Sequence, residues 1–414
     1  MMKFYTANRV LTGEQGEVHA GAGVLVDGDT IAWVGPAAEL PPDYGAVERV
    51  ELGDLTLLPG LIDSHVHLGF DGGPAPVERM KAESDPQQLV LMLRSARELL
   101  SVGVTTARDL GARSFLDVVV RDAIDTGIAR GPRMVTAGRP LTVTGGHCWF
   151  MGGECDTDDE VRRMVRLHHK MGVDLIKVMS TGGFMTAGSA PWFAQFTDGQ
   201  LAAAVGEAHR LGKRVAAHAH GVEGIRRALD AGVDTLEHCS FVLPDGRMSV
   251  DDELVARIVA SGAYVCPTVN TRYAEFLATR GEDFKPSLPV LHERGAKIIA
   301  GTDAGIDNVP HYAYVAGLEA LAMVGLPADQ VLYAATARAA EALGLGEVTG
   351  RLRPGLSADL IAVEGDPLAD ISALHSLRLV VARGTPFQPD PVGEAALPAP
   401  PAPTGLAMAK AVSR

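Results

Sequence analysis

Hydrophobic and polar residues follow two different patterns along the chain, which separate its ends from its middle. From Lys3 to Val50, short runs of β-branched and aromatic residues are interrupted by glycine and Asp-Gly, a pattern that predicts hairpins. The same pattern of short strand-like runs and turns returns after Val348. We therefore expect the two ends of the chain to form one small β-sandwich module.

Between these ends, strand-like runs alternate with helix-length amphipathic segments. Eight runs are predicted to be strands, beginning at residues 57, 104, 132, 174, 214, 234, 263 and 297. Helical patterns such as QQLVLMLRSARELLSVG and DDEVRRMVRLHHKMG lie between them and close on glycine, as many helices do. Such alternation over about 250 residues favours an α/β fold of the (β/α)8 TIM barrel type over an open doubly wound sheet. The first turn also carries no glycine-rich dinucleotide or phosphate-loop motif.

These patterns divide the chain into four segments. The β-sandwich module takes residues 1–57 and 348–387, and the barrel takes residues 58–347. Residues 388–414 are rich in proline and alanine without apolar periodicity, so we expect a disordered tail there.

Candidate chemistry begins at the end of the first barrel strand. The run LLPGLIDSHVHL ends an apolar segment with His65 and His67, which strand alternation places on one face. Alone, this pair fits a metal site and two hydrogen-bonded core histidines equally well. Polar residues at the ends of the later strands decide between these two interpretations, because the carboxyl ends of barrel strands face one common pocket. The polar residues at those ends are Lys177 in the fourth strand, His218 and His220 in the fifth, His238 in the sixth and Asp303 in the eighth.

A pair of divalent cations is the natural partner for so many buried polar groups. Lys177 needs a separate explanation, because an ammonium group repels metals. Burial near cations lowers the pKa of a lysine, and the neutral amine can react with carbon dioxide to form a carbamate whose two oxygens bridge two metals. The alternative is an ordinary lysine whose head reaches solvent or pairs with an acid. In the company of the other ligands, we expect Lys177 to be carbamylated.

Composition narrows the expected partners. The chain has 414 residues and a formal charge of −14, and no segment concentrates lysine and arginine, which argues against nucleic acid and anionic membranes. It shows neither a basic-then-apolar leader nor a run of about eighteen apolar residues, so we expect a cytoplasmic protein. The expected partners are a small-molecule substrate and further copies of the chain in a homo-oligomer. The cysteines are scattered, which favours reduced thiols; they are Cys148, Cys155, Cys239 and Cys266.

Together these motifs resemble the amidohydrolase superfamily of metal-dependent hydrolases. The matching segments are PGLIDSHVHL at 59–68, LIKVM around Lys177, AAHAHG around His218, TLEHCS around His238 and AGTDAG around Asp303. TGGH at 144–147 and HAHG at 218–221 are most similar to imidazolonepropionase-related enzymes, a branch that includes prolidase-like dipeptide hydrolases and ochratoxin-degrading amidases. The resemblance implies that His65, His67 and Asp303 hold one metal, that His218 and His238 hold the other, and that carbamylated Lys177 bridges them.

The expected reaction is hydrolysis of an amide bond by a hydroxide formed between the two metals. Zinc suits these ligands, with manganese, cobalt and iron as alternatives. Asp303 is expected to move the proton from the nucleophile to the leaving nitrogen. His220 is expected to contact the substrate carbonyl or carboxylate, or else to pack as a supporting histidine, and His147 in a glycine-rich loop is expected to contact substrate.

Loop residues on the same face complete the expected pocket. Candidates to bind a substrate carboxylate are Arg108, Arg139, Arg272 and His311. Candidates for an apolar wall are Trp149, Phe150, Met151 and Trp192. The predicted substrates are dipeptides or N-acyl amino acids with an apolar group. Lactone or phosphotriester hydrolysis, heterocycle deamination using an acid such as Glu223, and a non-catalytic scaffold stay open.

Overall fold

The computed structural model describes residues 2–280 and 286–393 and contains a parallel barrel joined to a β module. The strands are β1 (Lys3–Leu11), β2 (Val18–Asp27), β3 (Thr30–Pro36), β4 (Glu48–Glu51), β5 (Thr56–Pro59), β6 (Leu61–Val66), β7 (Val104–Asp109), β8 (Arg133–Thr136), β9 (Leu175–Met179), β10 (Arg214–Gly221), β11 (Thr235–Val242), β12 (Tyr264–Cys266), β13 (Lys297–Ile298), β14 (Leu360–Val363), β15 (Leu377–Ala382) and β16 (Thr385–Phe387). The α-helices are α1 (Pro76–Ala82), α2 (Asp85–Ser101), α3 (Leu116–Asp125), α4 (Asp158–Met171), α5 (Asp198–Arg210), α6 (Val222–Ala231), α7 (Asp252–Ser261), α8 (Arg272–Arg280), α9 (Leu288–Glu293), α10 (Tyr314–Met323), α11 (Ala328–Ala334) and α12 (Ala337–Ala342).

The two ends of the chain share one sheet, as the sequence predicted. Its strand order is β16-β15-β14-β5-β1-β2-β3, and β4 pairs with β1 beside β5. The late strand β14 runs antiparallel to the early strand β5, with Leu360 opposite Pro59. Apolar side chains such as Tyr5, Ile31 and Leu57 fill a separate core under this sheet. Strand β5 then leads through Gly60 into the barrel, where a side chain at residue 60 would meet Thr105 Oγ1 at 2.0 Å.

All eight predicted barrel strands are present as β6 to β13, in parallel and in chain order. Two backbone contacts close the ring. Leu141 N, in the segment after β8, donates to Lys177 O of β9 at 2.8 Å, and His67 N, directly after β6, donates at 2.8 Å to Ala304 O in the segment after β13. This closure brings the first and eighth strands together and, with them, the histidines of β6 and Asp303.

Helices pack outside the ring, and their ends follow the sequence signals. Helix α4 begins with a capping box between Thr157 and Glu160 and ends at Gly172, whose φ of 81° suits glycine. None of the helices in the described ranges is long and apolar enough to cross a membrane. The four cysteines are free and buried.

Part of the predicted tail packs on the barrel. Asp390 accepts two hydrogen bonds from Arg97 of α2, at 2.9 and 2.8 Å. The rest of the predicted tail, residues 394–414, lies outside the described residues.

Candidate metal centre

The six predicted metal ligands meet at the carboxyl-terminal mouth of the barrel. They line one cavity of about 330 Å³, together with His147 and His220. A concave cavity of this size, with a few converging polar groups, is the usual form of a small-molecule site. The predicted ligands in this lining are His65, His67, Lys177, His218, His238 and Asp303.

The first ligand group joins the ends of β6 and β13. The Nε2 atoms of His65 and His67 each lie 3.3 Å from Asp303 Oδ1. Asp303 holds a left-handed backbone with φ 60°, which is rare for a residue other than glycine and is common at functional sites. Burial alone would raise the pKa of Asp303, but the facing histidines hold it well below its usual range. Asp303 is therefore an ionised carboxylate aimed at two imidazoles.

The second group joins β10 and β11. His218 Nε2 donates to Gly182 O at 2.9 Å, so its Nδ1 carries a lone pair, which faces His238 Nε2 at 2.8 Å. His238 is also in a left-handed backbone, with φ 68°, and its Nδ1 lies 2.8 Å from Thr268 Oγ1. Burial, followed by the nearby imidazoles, lowers the pKa of both histidines well below 6.5. Both rings are therefore neutral, the form that binds metals.

Lys177 lies on β9 and is 1% exposed. Its Nζ has no hydrogen-bond partner among the described residues. Burial lowers the pKa of this amine to about 8, although Glu237 and Asp303 act in the opposite direction. A buried, unpaired amine is costly, so this position fits a group that is modified or that faces a bound ion.

The donor set as a whole fits divalent cations. Ligand atoms of His65, His238 and Asp303 lie within 4.8 Å of one another, and so do those of His218, His220 and His238. Imidazole nitrogens and carboxylate oxygens are donors that such ions accept in proteins. His220, which the sequence assigned to substrate, is thus also within reach of the second group.

A buried acid that the sequence analysis missed supports the first group. Glu237 Oε2 accepts from His65 Nδ1 at 2.8 Å, and Oε1 accepts from Arg108 Nη2 at 2.8 Å. Arg108 also donates to Ser64 O at 2.6 Å. These bonds hold the proton of His65 on Nδ1, so the unprotonated Nε2 faces Asp303. A signal for Glu237 was present, since a carboxylate in an apolar strand directly precedes the predicted ligand His238.

Two further histidines face the cavity as predicted. His147 is 4% exposed, its ring centroid lies 4.6 Å from that of His218, and its Nδ1 has no partner in the described part of the chain. His220 stacks on His238 at 4.3 Å, and its Nδ1 lies 3.0 Å from Ser240 Oγ. Burial lowers the pKa of His147 to about 4 and that of His220 to about 3, so both are neutral at pH 7.

The prediction of the carboxylate-binding residues was wrong for three of the four candidates. Arg108 lies within β7 at 2% exposure and not on a loop. Arg139 packs over the ring of Phe115 at 5.0 Å, away from the cavity. His311 is buried and its Nε2 lies 3.2 Å from His67 O. Arg272, in contrast, lines the cavity.

The predicted apolar wall is also wrong. Within residues 2–280 and 286–393, the cavity lining includes none of Trp149, Phe150, Met151 and Trp192. Trp149 and Phe150 instead lie under the ammonium of Lys81, at 5.8 and 4.7 Å. The apolar lining comes from strand β9, helix α8 and other loops, and includes Phe70, Met179, Phe184, Met185, Met248 and Phe276.

Comparison with known proteins shows the family of the chain. The sequence profile described as "Amidohydrolase family" matches residues 56–386. This chain belongs to the amidohydrolase family. A second profile, an imidazolonepropionase-like composite domain of bacteria, matches residues 22–46. Predictions of the family, of the barrel fold and of a hydrolase acting on C–N bonds are thereby confirmed, and proteins of this family generally bind divalent metals.

Relatives of this amidohydrolase include enzymes from fungi and bacteria. It is 30% identical to ochratoxinase of Aspergillus niger over 410 residues, which cover 88% of this chain and 82% of that protein. It is 28% identical to imidazolonepropionase of Cereibacter sphaeroides, covering 85% of this chain and 90% of that one. Among solved structures, a Xaa-Pro dipeptidase with bound methionine superposes with a TM-score of 0.84 at 29% identity, covering 94% of this chain and 100% of that one.

Proposed function

We propose that this amidohydrolase uses two divalent metals to cleave an amide bond in dipeptides or N-acyl amino acids that carry an apolar group. One observation supports this most strongly. The buried amine of Lys177 has no partner among the described residues, in a cavity that it shares with four histidine ligands and an aspartate. A carbamate at this position would supply oxygens to two cations and remove the unpaired amine.

The proposed ligand assignment follows the two groups described above. His65, His67 and Asp303 would hold one ion, His218 and His238 the other, and carbamylated Lys177 would bridge them. Zinc suits these nitrogen and oxygen donors. When bound, such ions supply an acidified water and polarise the substrate carbonyl.

Protein groups then handle the proton and the carbonyl oxygen. Asp303 is ionised and its side chain is 13% exposed toward the cavity. It is therefore able to accept the proton of the attacking water and return it to the leaving nitrogen. The neutral rings of His147 and His220 are available to donate a hydrogen bond to the carbonyl oxygen.

Arg272 is the proposed binding group for the substrate carboxylate. Its Nη1 lies 3.5 Å from both Asp307 Oδ2 and Asp307 O, contacts too long to satisfy a guanidinium strongly. Its side chain is 30% exposed at the cavity. A substrate carboxylate would accept shorter, bidentate hydrogen bonds from Arg272. The apolar residues that line the same cavity then suit an apolar group on the other side of the amide.

Two relatives support the choice of bond. One is an ochratoxinase and another a Xaa-Pro dipeptidase, by their names hydrolases of ochratoxin and of a dipeptide. Deamination of a heterocycle is not favoured, because Glu223 begins α6 and pairs with Arg226 and Arg227 at 2.8 and 2.7 Å. Lactone or phosphotriester hydrolysis is the alternative that the experiment below includes.

Lys177→Ala tests the proposal, with the exposed Lys170→Ala as the matched control. We expect the Lys177 variant to lose bound metal. Its activity should fall by more than the about 10–100-fold that is typical when an outer group of a metal site is replaced. Short carboxylic acids such as acetate should restore part of the activity by replacing the carbamate oxygens. Metal content is measured by mass spectrometry, and turnover with a panel of N-acyl amino acids, dipeptides, lactones and paraoxon.

Two outcomes would contradict the proposal separately. Full activity and full metal content in Lys177→Ala would refute the carbamate. Cleavage of lactones or paraoxon by the metal-loaded wild type, without cleavage of any amide, would refute the substrate class and leave the metal centre standing.

A further inference from the structure

Methionines from three separate elements line the apolar half of the cavity. Met179 ends strand β9, Met185 lies in a hairpin closed by the bridge between Thr181 and Ala194, and Met248 pairs with Val242 in the hairpin after β11. Met179 and Met185 belong to one apolar cluster with Phe70, and Met248 lines the same cavity from the hairpin after β11.

The depth of these methionines differs. Met179 follows Lys177 by two residues on the same strand face and pairs across the sheet with His218, so it lies next to the proposed metals. It is 2% exposed, whereas Met185 and Met248 are half-buried nearer the mouth. Met80 and Met151 lie behind this wall, in the same apolar cluster as Met179. Five of the 13 methionines of the chain therefore line or support this cavity.

The polar half of the cavity is built differently. Asn270 Nδ2 donates to Thr302 O at 3.0 Å, Thr268 bonds to His238 at 2.8 Å, and Ser240 bonds to His220 at 3.0 Å. Each of these side chains is held by a hydrogen bond, and buried networks of this kind are rigid. Methionine, in contrast, has three rotatable bonds and a polarisable sulfur, so it adapts to irregular shapes at low cost.

We propose that the apolar half of this cavity accepts acyl groups of different shape, linear, cyclic and aromatic, and that Met179, Met185 and Met248 set this tolerance. The inference rests on the proposed function, since it describes the acyl side of the same amide substrates. Selectivity would then lie at the polar half, where Arg272 and the hydrogen-bonded groups require a carboxylate in one position. Phe184, which lines the mouth and is 68% exposed, allows longer groups to extend toward solvent.

The test replaces all three methionines with leucine, which conserves volume but removes the flexible unbranched chain. Three substrates share phenylalanine as the amine half and carry hexanoyl, cyclohexanecarbonyl or 2-naphthoyl as the acyl half. For the metal-loaded wild type, we expect kcat/KM to agree within about tenfold across the three. For the triple variant, we expect the spread to widen to about 100-fold or more, because branched side chains fit one shape and collide with another. Met323→Leu, 58% exposed at the end of α10, is the control and should match the wild type.

Binding of the free acids separates this inference from the proposed function. Hexanoate, cyclohexanecarboxylate and 2-naphthoate are titrated calorimetrically into the metal-loaded wild type and triple variant. If no amide is cleaved but the acids bind the wild type evenly and the variant unevenly, the proposed function fails and the inference stands. A wild-type spread above about 100-fold, an unchanged profile in the triple variant, or a failure of all three acids to bind would overturn it.

Discussion

Replacing Glu237 with glutamine should weaken metal binding although Glu237 is not itself a proposed ligand. Its side chain is fully buried and joins His65 Nδ1 to Arg108 Nη2, each at 2.8 Å. Glutamine keeps the shape but replaces one carboxylate oxygen with an NH₂ group, which then faces a donor from either His65 or Arg108. The substitution also leaves the guanidinium of Arg108 without its counter-charge.

The expected magnitude follows from these contacts. Removing one partner of a buried ion pair costs about 3–5 kcal/mol of unfolding free energy. We expect the lower end of that range, because Arg108 keeps its bonds to Ser64 O and Thr235 Oγ1 at 2.6 and 3.1 Å. Metal affinity should fall about 10–100-fold, since the single amide oxygen and the loss of charge weaken the hydrogen bond that fixes the tautomer of His65. Burial raises the pKa of Glu237, but Arg108 and His65 bring it below its usual range, so the loss should be similar at pH 6 and pH 8.

The assay combines chelator competition, which measures metal affinity, with denaturant unfolding of the metal-free protein. Glu364→Gln is the control, because Glu364 pairs with Arg378 in the exposed part of the β module, where solvent screens the pair and it contributes little to stability. The double variant Arg108→Met with Glu237→Gln should recover stability, since the uncompensated charge is gone, but not metal affinity. Unchanged metal affinity in Glu237→Gln would refute the positioning role, even if stability falls.

Three further predictions use single substitutions. In Gly183→Ala the new Cβ would lie 2.5 Å from the ring of His147, so the ring must move and kcat/KM should fall by about tenfold or more with metal content unchanged. Arg272→Gln should raise KM for N-acyl amino acids by about 10–100-fold, because the variant loses a hydrogen bond between two charged groups. The KM for an amide that lacks the carboxylate should change much less. Burial lowers the pKa of His311 to about 3, so below pH 6.5 the unfolded chain binds a proton that the folded chain does not. The folded protein therefore becomes less stable as the pH is lowered from 6.5. His311→Asn should therefore remove a loss on the order of 2 kcal/mol between pH 7 and pH 4.5, measured by denaturant unfolding of the metal-free proteins.

Each of these predictions has an outcome that would contradict it. Gly206→Ala, where a Cβ meets nothing within 4 Å, should behave as wild type, and equal kinetics for the Gly183 and Gly206 variants would show that His147 is not held by Gly183. Equal KM changes for amides with and without a carboxylate would remove Arg272 from substrate binding. Parallel stability curves for the wild type and His311→Asn would show that His311 does not titrate as its burial implies.

The barrel, and the common cavity of the candidate metal ligands, could be predicted from sequence because both depend on local patterns. Alternation within an apolar run identifies a strand, and a histidine or aspartate at its end stands out against that run, as His65, His218 and Asp303 do. Parallel strands with helices between them have few ways to close, so strand order in the sequence already implies that these ends share one face. No long-range contact had to be known to propose the site.

The roles of charged residues inside the strands required the tertiary structure. Arg108 was predicted on a loop, but pairing of β7 with β6 and β8 extends the strand through Asp109, and this places the guanidinium under the site. Whether such a residue binds substrate or supports a ligand depends on its partner, and Glu237 lies 129 positions away in the chain. Alternation within one strand carries no information about which side chain another strand will place opposite.

The apolar side of the cavity was decided by the fold for the same reason. Aromatic residues near His147 were the nearest apolar candidates in sequence, yet Trp149 and Phe150 pack under Lys81. Met179, Met185 and Met248 carry no local signal, since an isolated methionine looks alike in a core and in a pocket. By itself the sequence therefore determined the barrel, the family and the set of candidate ligands, each of which depends on short contiguous patterns. Only the closed ring, which brings side chains from distant strands and loops to contact distance, decided what contacts those candidate ligands and what lines the cavity.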